Sequence, residues 1–530
     1  MADKNAELII ERTQRTDTEK AVWMATCQEI TDFVIPRKNN ILTKSTPGAK
    51  RMPVTLYDST AIHANDLLAS SISGAFTIAS LSLSFIDEEL NDDEDMVEWL
   101  DECAQRLKKA LRKSNFSSQR HEVTLDITSI GTGCLFTGER KLQVPGFNGL
   151  RFTALSPNEY GFEENAEGFA DTVYQKLAYT ARQAIQIFGE KAGKAAIEAA
   201  RKEPGKMVNY INAVYPVEEL TIKVPNGMKW AKVVVSVEDV VIVGKSGYPD
   251  FPYAIPRWSK VSGEIFGRSP GHNALPDIKC LNKMKELGLA AIAKDIDPPM
   301  GVPESLGKLK LIPGGQNPMR ADLIDKIKPL VSNTNYSGVE LTVEDLKDSI
   351  RKIFYTDQLQ IQKMAQMTAT EASITFELMQ RLLGPTFNRH EEEMYSPITK
   401  RCFGIMYRTG AFPPPPRPIK NMEIDVNFVG PVVRSQKQTE AKAIREWLEM
   451  TIAIAATEPD ALDVPDVIAI VKEYGRNLGI SEKLMRNKKD IEQRQKKRED
   501  DKRAREDQQM MLEGAKVLPG VSKALGMDGE

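Results

Sequence analysis

The sequence predicts a mainly helical chain carrying an α+β insert. Three observations predict it. Apolar residues recur at helical spacing on both sides of a central stretch, from Leu8 to Val34 and again beyond Thr368. Between about 134 and 255 the period changes to short β-like runs punctuated by Gly and Pro. A long periodic helix over 272–297 stops at Asp297-Pro298-Pro299, gives way to a Pro/Gly-rich segment over 298–338, and is answered by a second helix over 343–355.

Taken in order, residues 5–36 form the first helix, with Leu8, Ile9, Val22, Trp23, Ile30, Phe33 and Val34 apolar and Pro36 as its stop. A second apolar helix fits Ala61–Ile78. The run Asp87–Glu102 holds ten carboxylates without EF-hand spacing, so its first half reads as a solvated loop. Its second half leads into a helix through Val97, Leu100, Cys103 and Leu107. Inside the insert, Leu142-Gln143-Val144 and Leu150-Arg151-Phe152 read as short strands, 180–202 as one Ala-rich helix, and 207–248 as strands again, notably Lys232–Val237 and Val240–Val243.

The 272–297 helix places Ile278, Leu281, Met284, Leu287, Ala291 and Ile296 at apolar positions. With the return helix, which Thr342 and Asp345 would cap, it makes an up-and-back stalk whose tip is 298–338, with a short strand at Leu309–Ile312. Thr356–Met367 is rich in Gln and Met with weak periodicity. Thr368-Ala369-Thr370-Glu371 is a capping box opening a long helix towards Arg408, with kinks expected near Gly384-Pro385 and Pro397. Pro413–Pro416 is a stiff spacer. A last helical region spans 436–530, where eleven basic and seven acidic residues interleave between Lys483 and Asp507.

Composition narrows the function. At roughly 150 residues per domain, a chain of 530 residues holds several. Its 71 Lys+Arg and 74 Asp+Glu leave a formal net charge of −3, which argues against a general nucleic-acid binder but not against a local contact. Cys27, Cys103, Cys134, Cys280 and Cys402 are odd in number and lack CxxC spacing, so neither a disulfide framework nor a zinc site is expected. Met1-Ala2-Asp3-Lys4 opens no apolar h-region. The most apolar stretch, Gly74–Ile86, is shorter than the ~20 residues a membrane span requires. A soluble intracellular protein is expected.

Catalytic chemistry has no visible motif. Gly189-Glu190-Lys191-Ala192-Gly193-Lys194-Ala195 is one residue short of a P-loop, ends in Ala where a hydroxyl must reach Mg²⁺, and lies in a helical pattern. His63, His121, His272 and His390 are isolated. His390 precedes Glu391-Glu392-Glu393, but consecutive residues do not share a helix face, so a solvated helix surface is expected there. Glu371 is explained by its capping position. No GxSxG elbow or Cys/His pairing appears. No catalytic residue, metal ligand or cofactor is expected.

Five stretches, in order along residues 10–500, carry a family resemblance. They are the Trp-containing helix Trp23–Pro36; Leu56-Tyr57-Asp58-Ser59-Thr60-Ala61 followed by Leu68-Ala69-Ser70; Phe266-Gly267-Arg268-Ser269-Pro270-Gly271 with Ala274–Lys279 and Leu281-Asn282; Thr368–Glu371; and Phe428-Val429-Gly430-Pro431 with Gln436. In these the chain resembles the portal, or head-to-tail connector, proteins of short-tailed (podovirus) bacteriophages. It departs from them at Ser82-Leu83-Ser84-Phe85, where the family has a Pro-rich Trp-Phe ending, and at Val432-Val433-Arg434, where it has Leu-Ala.

The resemblance implies a portal-type fold: a wing over 1–268 with its α+β part at 134–255, stem helices at 272–297 and 339–357, and a small α/β clip at 298–338. A channel loop at 358–370, a long wing helix with its return at 371–430 and a helical crown with tail at 436–530 complete it. It also implies a ring, commonly of twelve copies, at one capsid vertex of the virion, assembled in the host bacterial cytoplasm. Double-stranded DNA would pass through it, independent of sequence, during packaging and ejection. Implied partners are the terminase large subunit, tail adaptor and tail tube proteins, and capsid and scaffolding proteins. The twelve basic and twelve acidic residues between Asp277 and Asp357 suit a conduit, because a strongly basic tube would hold DNA. Lys363 is the only cation of the channel loop; with Gln360, Gln362 and Gln366 it is the candidate for touching passing phosphate without base readout. Lys308, Lys310, Met319 and Arg320 are the clip candidates for adaptor or terminase contact. An adaptor or scaffold protein is the competing structural reading; a DNA-processing enzyme is a weaker one.

Overall fold

The computed structural model describes residues 3–38, 55–76, 93–140, 146–220, 224–301, 336–359, 383–416, 431–478 and 493–507, with isolated positions between them. The protein is mostly helical, with small antiparallel sheets, and divides into two compact units. The larger comprises Met1–Ser82, Arg106–Phe412 and Val426–Val432; the smaller comprises Leu83–Gln105, Pro413–Asp425 and Val433–Glu530.

In chain order the helices are α1 (Lys4–Val34), α2 (Thr60–Ala75), α3 (Glu94–Lys113) and α4 (Phe116–Ile130). Strands β1 (Cys134–Glu139), β2 (Leu150–Leu155), β3 (Tyr160–Glu164) and β4 (Ala170–Thr180) follow, then α5 (Ala181–Phe188) and α6 (Lys194–Lys202). Next come β5 (Met207–Pro216), β6 (Trp230–Ser236), β7 (Val241–Tyr248) and β8 (Tyr253–Ala254). The five-stranded antiparallel sheet runs β3-β4-β5-β6-β7, and a three-stranded one runs β2-β1-β8.

The larger sheet is covered on both faces, and its strands show it. Val233 and Val235 face Ala6 and Ile9 of α1, whereas Val234 between them faces Ala181, Ala184, Ala196 and Ala199 of α5 and α6. A strand buried on both faces needs apolar residues at every position, hence the unbroken Val run. The alanines let the two helices close down on the sheet. The expected single helix over 180–202 is two, because Gly189 (φ 59°) and Gly193 (φ 96°) break it around a 3₁₀ turn at Gly189–Lys191. The near-P-loop is a joint: Asp239 accepts from Ala195 N–H at 3.1 Å, so a carboxylate already occupies the first turn of α6.

Helix α4 gives no amphipathic signal because it is buried all round from Val123 to Ile130. Its hydroxyls turn inward on the helix: Thr124 donates to Arg120 O (2.9 Å), Thr128 to Thr124 O (3.1 Å) and Ser129 to Leu125 O (2.7 Å). Arg120 reaches out to Ser73 O (2.9 Å) and Phe76 O, tying the end of α2 to α4.

Beyond the sheets lie α7 (Pro270–Ile296), the two-residue ribbon β9 (Met300–Gly301) with β10 (Lys328–Pro329), α8 (Tyr336–Ile353) and α9 (Thr356–Leu359). Helix α8 starts before Thr342, which therefore lies inside it and is not its cap. Residues 383–390 continue through a π turn at Glu391–Tyr395 into α10 (Ser396–Arg408). Pro397 has no N–H to give to the preceding turn, which widens to an i→i−5 bond from Ser396 N to Glu391 O. Helix α11 (Pro431–Ala455), in the smaller unit from Val433 onward, and α12 (Val467–Asn477) flank a 3₁₀ turn at Pro459–Asp463.

His390 is fully buried, beside Phe76 and Trp258, and burial lowers it to about 4. Only Glu392 of the following triplet is exposed. The expectation of a solvated surface fails because this segment packs inward, His390 beside Phe76 and Trp258 and Glu393 on Arg257.

Lys20 is buried on α1, where its ammonium donates to Pro157 O and Tyr160 O and lies 4.4 Å from the Tyr160 ring centroid. Burial, with the Lys176 charge next, lowers Lys20 to about 7; Asp17, Cys134 and Cys27 oppose the shift. Between about pH 7 and the ordinary lysine value the unfolded chain holds a proton here that the folded chain releases, so stability rises with pH through that window. Lys20→Met abolishes this rise. Denaturant midpoints measured from pH 10 down to pH 7 should therefore shift progressively in the variant's favour.

Candidate assembly surface

The stalk is built at its root by backbone contact. Ser269 caps α7 in a box with His272: Ser269 N–H donates to His272 Nδ1 (3.3 Å), and Pro270 occupies the first turn. Burial, then Arg268, lowers His272 to about 4, which keeps it neutral and able to accept. Ser269 Oγ donates to Ser129 O of α4. A Cβ on Gly271 would run into that same Ser129 carbonyl, and one on Gly267 into the carbonyl of Gly131. Gly131 (φ 84°) ends α4 in the left-handed conformation. The glycines of Phe266–Gly271 are thus required by close approach of two backbones.

A second sequence motif meets α7 further along. Asn282 accepts from Tyr57 N–H (2.8 Å) and donates to Thr55 O (3.2 Å). Lys285 pairs with Asp58 at 2.6 Å. Burial opposes ionisation of Asp58, but Lys285 and the Thr60 N–H together hold it below its ordinary value. So Tyr57–Thr60 and Leu281-Asn282, far apart in sequence, form one joint.

The two stalk helices pack antiparallel, with Ser349 Oγ of α8 donating to Asp277 of α7 at 2.7 Å and Ile350 and Phe354 buried. Beyond Leu281 no residue of α7 is fully buried. Leu289, Ile292 and Ile296 are 54%, 46% and 79% exposed. Their i, i+3, i+7 spacing puts them on one stripe, while Leu287 (55% exposed) lies on the opposite side of the helix. In the smaller unit, Trp447, Met450, Ile452 and Ile454 of α11 are likewise exposed. Isolated apolar side chains at a surface need no explanation, but contiguous stripes do.

A buried ion cluster anchors the sheet region to the π turn. Arg257 donates to Glu393 through Nη2 (2.6 Å) and through its backbone N–H (2.8 Å), and to Glu164, Gly168 O (3.0 Å) and Ile265 O (3.2 Å). Burial works against the Arg257 charge, but Glu393 and Glu164 outweigh it and keep the guanidinium protonated. Lys260 completes the cluster on Glu164 at 2.7 Å.

Of the candidate residues taken from the sequence, Lys310 and Arg320 are described and both are exposed. The Lys310 backbone is clasped by Asn317, which accepts from its N–H (2.7 Å) and donates to its O (2.9 Å). Lys308, Met319, Gln360, Gln362, Lys363 and Gln366, the capping box at Thr368–Glu371 and the strand at Leu142–Val144 lie outside the described residues. Among the described residues no helix is long and apolar enough to cross a membrane, and no group of three or more His, Cys, Asp or Glu converges as metal ligands would.

A family model described as bacteriophage head to tail connecting protein matches residues 6–485. A probable portal protein of Bordetella phage BPP-1 is 23% identical, covering 96% of this chain and 94% of the relative. A portal protein of Salmonella phage epsilon15 is 23% identical over 91% of this chain and 89% of its own length. A chain from the virion of a native gene transfer agent particle aligns at a TM-score of 0.34 and 14% identity, over 73% of this chain and 87% of that one, which is too distant to bear on the fold.

Gly271→Ala forces the Ser129 carbonyl to move and should cost about 1–3 kcal/mol, read as a lower denaturant midpoint. Gly288→Ala, in the same helix with nothing near its Cβ, should instead raise the midpoint, by up to about 1 kcal/mol.

Proposed function

The chain belongs to the bacteriophage head to tail connecting protein family, and from that premise we propose that it is a portal protein. It is a structural virion component, not an enzyme. Copies assemble into a ring of twelve at one capsid vertex, and the ring is the conduit for packaging and ejection of double-stranded DNA. The terminase large subunit, tail adaptor and tail tube proteins, and capsid and scaffolding proteins are its partners.

One observation in this chain supports the reading above the others: the bare outer half of α7 carries apolar residues on opposite flanks. A ring demands this, because each subunit meets a neighbour on either side through two different surfaces. In the proposed layout 1–268 is the wing, 272–297 and 339–357 the stem, 298–338 the clip, 358–370 the channel loop, 371–430 the long wing helix and return, and 436–530 the crown. Lys310 and Arg320, with Lys308 and Met319, belong to the clip surface offered to terminase and adaptor.

Negative-stain microscopy with mass measurement tests the ring. The parent should give closed rings with an axial hole. Ile292→Asp should give monomers with little change in thermal midpoint, since the side chain stands 46% exposed in one copy. A parent that stays monomeric under all assembly conditions sinks the proposal. In the channel loop, Lys363→Ala should alter packaging, DNA retention or ejection; if all three are unchanged, its contact with phosphate is discarded.

A further inference from the structure

A groove of about 930 Å³ opens between the end of α3, the turn into α4 and the base of the β1–β2 hairpin. Lys113, Arg140 and Arg151 line it, and among the described residues no carboxylate does. They are exposed, and among the described residues none makes an ion pair or side-chain hydrogen bond.

Strand register explains why. Arg151 is paired with Gly138, and Arg140 N–H donates to Gly149 O at 2.9 Å. Both arginines therefore stand on one face of the hairpin, each opposite a glycine that offers no side chain. Beneath them the floor is fixed. Asn115 brackets Phe152, accepting from its N–H (2.9 Å) and donating to its O (2.8 Å). Ser114 Oγ donates to Leu111 O (2.7 Å) and accepts from Phe116 N–H (3.1 Å). An anion entering the groove would meet three cations and, among the described lining residues, no carboxylate.

We propose that this groove holds the phosphodiester backbone of duplex DNA, without base readout, as a contact distinct from the channel loop. Arginine forks match phosphate oxygens in plane and spacing. Cross-strand diagonal neighbours stand roughly 7–8 Å apart, while phosphates recur about every 3.4 Å of axis along one DNA strand. A backbone thus offers each arginine its own phosphate and leaves another for Lys113, whereas a mononucleotide cannot reach all three. The choice of DNA over an acidic polypeptide rests on the portal reading.

The test uses the full-length assembled protein, a short labelled duplex and fluorescence anisotropy over a range of salt. Each phosphate contact contributes about 0.9 to the slope of log affinity against log salt. The combined Lys113→Ala, Arg140→Ala and Arg151→Ala variant should therefore lose about 2–3 from that slope, and the three Lys-for-Arg and Arg-for-Lys exchanges should retain it. Unlabelled duplex should compete far better than polyglutamate or a single deoxynucleotide. If the combined variant does not fold, Arg140→Ala and Arg151→Ala taken singly should each lose about one from the slope. An unchanged slope, no binding by the parent, or equal competition by polyglutamate overturns the proposal. The mass of the assembly is measured on the same samples: rings with an unchanged slope overturn the groove alone, and absence of rings overturns the portal reading alone.

Discussion

Most of the larger unit is arranged around one constraint, the backbone-to-backbone approach of the 257–271 stretch to the end of α4. Trp258 N–H donates to Gly131 O at 2.9 Å and Gly267 N–H to Thr132 Oγ1 at 2.8 Å. Gly267 and Gly271 leave no room for a Cβ. Such contact is geometrically unforgiving, because peptide groups cannot repack as side chains do. It sets the position and direction from which α7 departs, and the joint at Asn282 and Lys285 fixes the helix again further out.

The Arg257 cluster does the complementary work on the other side of the same stretch. Paired and hydrogen-bonded buried charges add little net stability, but removing one member leaves the others stranded and typically costs about 3–5 kcal/mol. Specificity is the gain. Glu393 meets Arg257 only because the π turn places it there, so the cluster and the irregular helix define one another. A straight α-helix through 391–395 would aim these side chains elsewhere.

Legibility in the sequence followed the origin of each signal. Helix α1, the stalk helices and the strands at Leu150–Leu155, Met207–Pro216, Trp230–Ser236 and Val241–Tyr248 were legible as elements from apolar spacing and runs, but the covered faces were not: Val22 of α1 is exposed and Lys20 buried. Helix α4 was not, since full burial erases periodicity and its Thr and Ser residues read as polar. The joint at Gly189–Gly193 was hidden among helix-forming alanines, and burial of His390 depended on tertiary packing that no spacing rule anticipates. The motif glycines at 267 and 271 were visible as a pattern, but their reason became visible only with the partner backbone in place. The cation groove left no linear trace: Lys113, Arg140 and Arg151 come together through strand register and a helix–helix turn.

The opposed flanks of α7 carry a consequence for growth. Two different surfaces on opposite sides are not self-complementary, so a pair of copies still exposes one flank at each end. Addition removes no ends until the last copy meets the first. Whether it does depends on the rotation between neighbours: a rotation that divides the circle closes, and any other winds on as a filament. In the proposed ring that angle would follow the direction in which α7 leaves its root, so the glycine seam that seats one helix would also select between a finite particle and an endless one.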